Sequence, residues 1–159
     1  MDIPEEIEIS LVRADEYQAV AMLRWQWETE GATKPTGDPE AFAKEFADWA
    51  QRNTETHRCI VLRRNGTVVG MAWLAVVARV PTPGSMSRAG GDLQSVYLAP
   101  EVRGRGLGEG LVAEALDEAR RLNLKKVTVQ STTKSKNFYG RNGFIDAPKI
   151  LQAKLEAKL

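Results

Sequence analysis

Apolar and polar positions along the chain fall into short alternating segments and a few helical stripes. Alternation predicts strands over residues 7–12, 57–64 and 67–77, and Asn65-Gly66 between the last two is a hairpin turn signal. Asp15 is placed to cap a helix reaching about Glu30, with Tyr17, Val20, Ala21, Arg24 and Trp27 or Glu28 along one side. Asp38-Pro39-Glu40 opens a second helix, carrying Phe42, Phe46 and Trp49 and fading by Asn53. The two prolines and three glycines within residues 80–91 predict a long loop, followed by a strand over 92–98. A third helix turns Leu107, Leu111, Ala115, Ala119 and Leu122 inward and leaves Glu109, Glu114, Asp117, Glu118 and Arg121 wet. A strand over 126–131 and a short helix over 134–142, stopped by Gly143, follow. Residues 150–155 fit either a last strand, with Leu151, Ala153 and Leu155 inward, or a frayed helix.

A chain of 159 residues with 43% hydrophobic and 27% charged positions is one globular domain spanning residues 1–159. The acidic N-terminus lacks the layout of a signal peptide, and the most apolar run, 68–78, is too short to cross a bilayer. Neither points to a membrane. One cysteine, Cys59, sits within a strand pattern as a small buried hydrophobe, so a reducing cytoplasm is the expected location. The net charge of +1 hides an asymmetry: residues 1–50 carry 4 Lys/Arg against 12 Asp/Glu, and the remaining chain 18 against 9. Basic residues interleaved with Glu101, Glu109 and Asp117, without an aromatic platform, argue against a nucleic-acid partner.

The chemistry concentrates at Val96-Tyr-Leu-Ala-Pro-Glu-Val-Arg-Gly-Arg-Gly-Leu-Gly108. A strand, a proline turn and three glycines run straight into an amphipathic helix. Glycine admits a ligand close to the backbone, and the unpaired N–H groups of the helix start favour an anion such as diphosphate. A dinucleotide-binding fingerprint does not fit, because Glu109 and Leu111 stand where it needs its last glycine. No Gly-Lys-Ser/Thr follows, which removes the nucleotide P-loop.

Arg103-Gly-Arg-Gly106-Leu-Gly108 resembles the R/Q-x-x-G-x-G/A signature of the GNAT superfamily of N-acetyltransferases, and Ser135-Lys-Asn-Phe-Tyr-Gly-Arg-Asn-Gly-Phe144 resembles its A/S-x-x-F-Y-x-x-x-G-F element. The resemblance implies an α/β fold of the α+β kind. Its mixed sheet would be mostly antiparallel, with one parallel, splayed strand pair forming the coenzyme cleft, helices on both faces, and residues 150–155 as a strand. It implies acetyl-CoA as cosubstrate, no metal, and direct transfer to a primary amine in a ternary complex. Val96, Tyr97, Leu98, Arg103, Gly104, Arg105, Gly106, Leu107, Gly108 and Thr132 would then contact the coenzyme, with Thr132 standing where relatives often carry asparagine. Tyr139 would be the acid that protonates the departing thiolate.

Many relatives carry a glutamate base where this chain has Gln94, which accepts no proton. Glu28, Glu30 and Asp92 are the alternative carboxylates, with Glu28 preferred because it follows Trp25 and Trp27 on the helix bordering the acceptor cleft. Trp27, Trp73 and Gln94 are the expected acceptor contacts. The acidic first half suits a small cationic amine, and a homodimer is compatible with the pattern. Two other readings stand beside this one: an acyl-CoA-binding module without catalysis, and an acetyltransferase acting on protein termini or lysines.

Overall fold

A computed structural model describes residues 3–155. Five strands form one sheet in chain order: β1 (Ile7–Leu11), β2 (His57–Arg64), β3 (Thr67–Arg79), β4 (Arg88–Leu98) and β5 (Val127–Val129). The first four pair antiparallel, while β5 runs parallel to β4 and meets it only at residues 91–93. This is the mixed α/β sheet with one parallel pair that the resemblance implies.

Helices cover both faces. α1 (Tyr17–Thr29) and α2 (Pro39–Arg52) lie on one side, where Phe46 of α2 meets Trp73 of β3 edge-on at 5.6 Å. α3 (Leu107–Arg121) lies on the other, so close that a Cβ on Gly70 would stand 3.2 Å from Leu111. Residues 70 and 73 point to opposite faces because side chains alternate along a strand. Between them Ile60, Leu62, Met71, Leu74, Leu111 and Val112 are fully buried. α4 (Lys136–Arg141) follows β5, and the ring of its Phe138 lies 3.3 Å from where a Cβ on Gly108 would be.

Local signals explain the boundaries. Asp38 accepts the Glu40 N–H at 3.2 Å and Pro39 takes the first helical position, as expected for α2. Asn65 and Gly66 both adopt positive φ, the conformation a tight hairpin turn demands.

Four expectations need correction. Asp15 does not cap α1; a short turn (Ala14–Glu16) precedes the helix, and Glu16 reaches back to the Arg13 N–H at 2.8 Å. The predicted loop over 80–91 is shorter, since β3 runs on to Arg79 and β4 begins at Arg88. Gly91 is there for packing, because a Cβ would lie 2.9 Å from Leu74 and 3.0 Å from Leu124. Glu118 is buried, held at 3.1 Å by Arg121. Residues 150–155 form no strand: no described strand pairs with them, and Leu151 and Leu155 are over 90% exposed.

One buried cation was unforeseen. Arg63 of β2 is 1% exposed; its guanidinium donates to both Glu16 oxygens at 2.7 and 2.6 Å, to Ser10 Oγ at 2.6 Å and to the Leu11 carbonyl at 3.2 Å. This set ties the start of α1 to the first hairpin.

Candidate functional site

The site grows from the end of β4. Leu98 closes the strand, Pro100–Val102 makes one tight turn anchored by the fully buried Val102, and the chain then enters the glycine loop. Gly104 (φ 75°) and Gly106 (φ 74°) both take the left-handed conformation, and a Cβ on either would meet nothing within 4 Å. Gly106 is the residue before α3, and no side chain caps that helix. The first N–H groups of α3 therefore face open space, with the positive end of its dipole and without a capping side chain. These residues fit a diphosphate.

Beside the loop the sheet parts. β5 ends at Val129, so among the described residues β4 has no partner strand on that side over residues 94–98; at its far end the Leu98 carbonyl accepts from Arg103 Nε at 2.9 Å. Ser95 (φ 52°) sits in a bulge: Met71 pairs with Tyr97 and Trp73 with Gln94, leaving an extra residue in β4. Where the strands separate, the Asp92 carboxylate accepts from Gln94 Nε2 at 2.9 Å and from Thr128 Oγ1 at 3.2 Å.

Tyr139 of α4 is half-buried, with its ring edge-on to Phe138 and Phe144 at 5.1 and 5.5 Å. Burial pushes its phenol pKa up, so it holds its proton. It borders a cavity of about 1220 Å³ together with Thr128, Val129 and Thr132. Phe144, Ile145 and Ile150 line the same cavity.

The chain matches the Acetyltransferase (GNAT) family over residues 19–144. It belongs to that family. A glucosamine 6-phosphate N-acetyltransferase of Trypanosoma brucei brucei is 31% identical over 99 residues; the match takes in 62% of this chain and 65% of the relative, under two-thirds of its length. Two solved structures share the fold. An acetyltransferase of Clostridium acetobutylicum crystallised with acetyl-CoA has a TM-score of 0.75 at 17% identity, over 94% of this chain and 96% of that one. Glucosamine-6-phosphate N-acetyltransferase of Arabidopsis thaliana has a TM-score of 0.71 at 18% identity, over 94% and 98%.

Set out on this GNAT domain, the expected site residues fall into three groups. Gly104, Gly106, Leu107 and Gly108 line the loop and helix start, and Val96, Tyr97 and Leu98 line the free edge of β4 through their backbone. Gln94 and Asp92 come together at the strand parting. Other side chains are engaged elsewhere. Arg103 turns toward α1 to bind Glu30, Arg105 pairs with Glu5 of the N-terminal segment, and Thr132 caps the turn before α4 by accepting the Ser135 N–H at 3.2 Å. Trp73 is 5% exposed, within an aromatic cluster with Phe46 and Trp49. Glu28 is half-exposed and pairs with Arg24 at 2.6 Å, whereas Trp27 stacks on Tyr97 at 5.4 Å.

The lone histidine, His57, opens β2 with its ring against Trp49 at 4.9 Å. Cys59 is buried and burial pushes its thiol pKa far up, which leaves it unreactive. Among the described residues no three His, Cys, Asp or Glu side chains converge on a metal position, and no helix is long and apolar enough to cross a membrane. The Asp92–Thr128 contact escaped the sequence, since a bond between residues 36 apart follows only from the parallel register of β4 and β5.

Proposed function

We propose that this protein is an acetyl-CoA-dependent N-acetyltransferase that acetylates a primary amine by direct attack in a ternary complex. The observation that carries this reading is the pair of left-handed glycines, 104 and 106, opening the uncapped start of α3 onto the place where β4 and β5 part. Acetyl-CoA would supply the activated acetyl thioester. The chain's own work is fourfold. N–H groups of the loop and of Leu107 and Gly108 hold diphosphate. The free edge of β4 aligns the pantetheine arm as a neighbouring strand would, with a backbone N–H there facing the thioester oxygen. Tyr139 keeps its proton for the departing thiolate. Asp92, held by Gln94 and Thr128 at the strand parting, takes the amine and its proton, a role for which Glu28 is the alternative.

A small cationic amine suits the acidic first half of the chain, and an amino sugar phosphate enters as an acceptor class through the trypanosomal relative. A second reading, an acyl-CoA-binding module without turnover, draws on Gln94, whose amide donates to Asp92 where relatives place a base. Thiol release from acetyl-CoA, measured with polyamines, glucosamine 6-phosphate and neutral amines in separate pools, tests both readings. Release with one pool supports the enzyme and names its acceptor class. Coenzyme binding without release in any pool supports the module.

A further inference from the structure

Glu30 stands just past the C-terminal end of α1, its N–H bonded to the Trp27 carbonyl at 3.1 Å. An acid there faces the negative end of the helix dipole; no basic residue occupies the last turn of α1, and Lys34 beyond it donates to the Thr29 carbonyl. The partners of Glu30 come from far along the chain. Tyr97 Oη of β4 donates to Glu30 Oε1 at 3.0 Å, and Arg103 Nη2 of the glycine loop donates to Oε1 and Oε2 at 2.9 and 3.0 Å. Arg103 Nε is fixed in turn on the Leu98 carbonyl at 2.9 Å. The rings complete the array: Trp27 stacks on Tyr97 at 5.4 Å with 18° between planes, and the Arg103 guanidinium lies 5.2 Å from the Tyr97 ring centre.

We propose that Glu30 is a positioning residue that couples the glycine loop to the end of α1, so that occupancy of the loop is transmitted to Trp27 and to the polar segment 31–37 beyond it. The inference rests on the coenzyme reading of the loop. Arg103 begins the anion-binding turn, and its side chain is spent on Glu30 and Leu98, so its contribution to that turn is to set where the backbone N–H groups stand. Three features make the link stiff: one guanidinium nitrogen shared by both carboxylate oxygens while Nε is held elsewhere, a hydroxyl on one of those oxygens, and two contacts on one ring. Burial, with the bond to Glu30 second, holds the Tyr97 phenol pKa up to about 12, so the donor persists at any pH at which the protein is handled. Trp27 lies on the last turns of α1 and stacks on the same Tyr97 ring, so the array joins the glycine loop directly to the end of that helix.

Titrating the whole protein with coenzyme A, by calorimetry and by tryptophan fluorescence in parallel, tests the coupling. In the wild type, binding should change tryptophan emission, and Trp27→Phe should remove that change, which identifies Trp27 as its source. Glu30→Gln, which keeps shape and removes charge, should weaken coenzyme A binding by about 2- to 30-fold and abolish the Trp27 response at saturation. Arg103→Lys combined with Glu30→Gln should be little worse than either alone. A Glu30→Gln protein with unchanged affinity and a full Trp27 response overturns the coupling. A lower melting temperature accompanied by a full response assigns Glu30 a bracing role and overturns it equally. Should Glu30→Gln fail to fold, Tyr97→Phe, which deletes one hydroxyl, takes its place with the same two outcomes. No binding of coenzyme A to the wild type overturns the coenzyme reading itself and the inference with it.

Discussion

Gly106→Ala separates what the loop does for a ligand from what it does for the fold. Gly106 has φ 74° and ψ 9°, so an alanine there carries the left-handed penalty of about 1–2 kcal/mol. Its Cβ meets nothing within 4 Å, so no clash adds to that figure. For a chain of this size, the melting temperature should fall by about 2–8 °C. The new methyl nonetheless stands where an anion would approach the N–H groups of α3. Losing one or two charge-assisted hydrogen bonds amounts to about 3 kcal/mol, a loss of roughly 100-fold in coenzyme A affinity. Gly66→Ala is the matched control: its φ is 81°, its Cβ also meets nothing, and it lies in the β2–β3 hairpin. It should lose the same few degrees and bind coenzyme A normally. Thermal unfolding and calorimetry on the two variants suffice. Near-normal binding by Gly106→Ala, or equal weakening by Gly66→Ala, would refute the cradle.

Three further outcomes follow from the site and from the buried Arg63. Tyr139→Phe should reduce turnover by about 100-fold or more while coenzyme A affinity, read by calorimetry, stays within a factor of two or so. Arg63→Met should lower stability at neutral pH by about 3–5 kcal/mol in denaturant melts, because Glu16 is left without its cation, and adding Glu16→Leu should recover most of that loss. Arg63 and the Arg13 N–H hold the Glu16 pKa below its usual value; its stabilisation is therefore complete above about pH 4.5 and lost as the pH falls through that lowered value. Glu16→Gln should accordingly differ from wild type at pH 7 and converge with it in acid.

Legibility in the sequence followed how local each feature is. The glycine loop, the Asn65-Gly66 hairpin and the Asp38-Pro39 helix start were readable, since each conformation demands particular residues within a few positions. Arg63 was not, because in an alternating strand an arginine reads as solvent-facing until Glu16 arrives from 47 residues away. Glu30 could be named among candidate carboxylates, yet its partners lie 67 and 73 residues downstream, and no pattern on α1 announces them. Gly91 misled in the other direction, suggesting a turn where the fold needed room for Leu74 and Leu124. The prospective strand at 150–155 has the right alternation, but alternation names a face and does not supply a neighbour to pair with.

The agreement between strand order and chain order bears on how the molecule is made. As a nascent chain leaves the ribosome, each of β2, β3 and β4 finds its antiparallel neighbour already synthesised, β3 and β4 through short connections and β2 after α1 and α2 have passed. Only β5 must wait for a helical crossover, α3, before it can lie parallel to β4. The parting of β4 and β5 thus forms only after the four antiparallel strands, and a partly translated chain can hold that four-stranded sheet before the cleft exists.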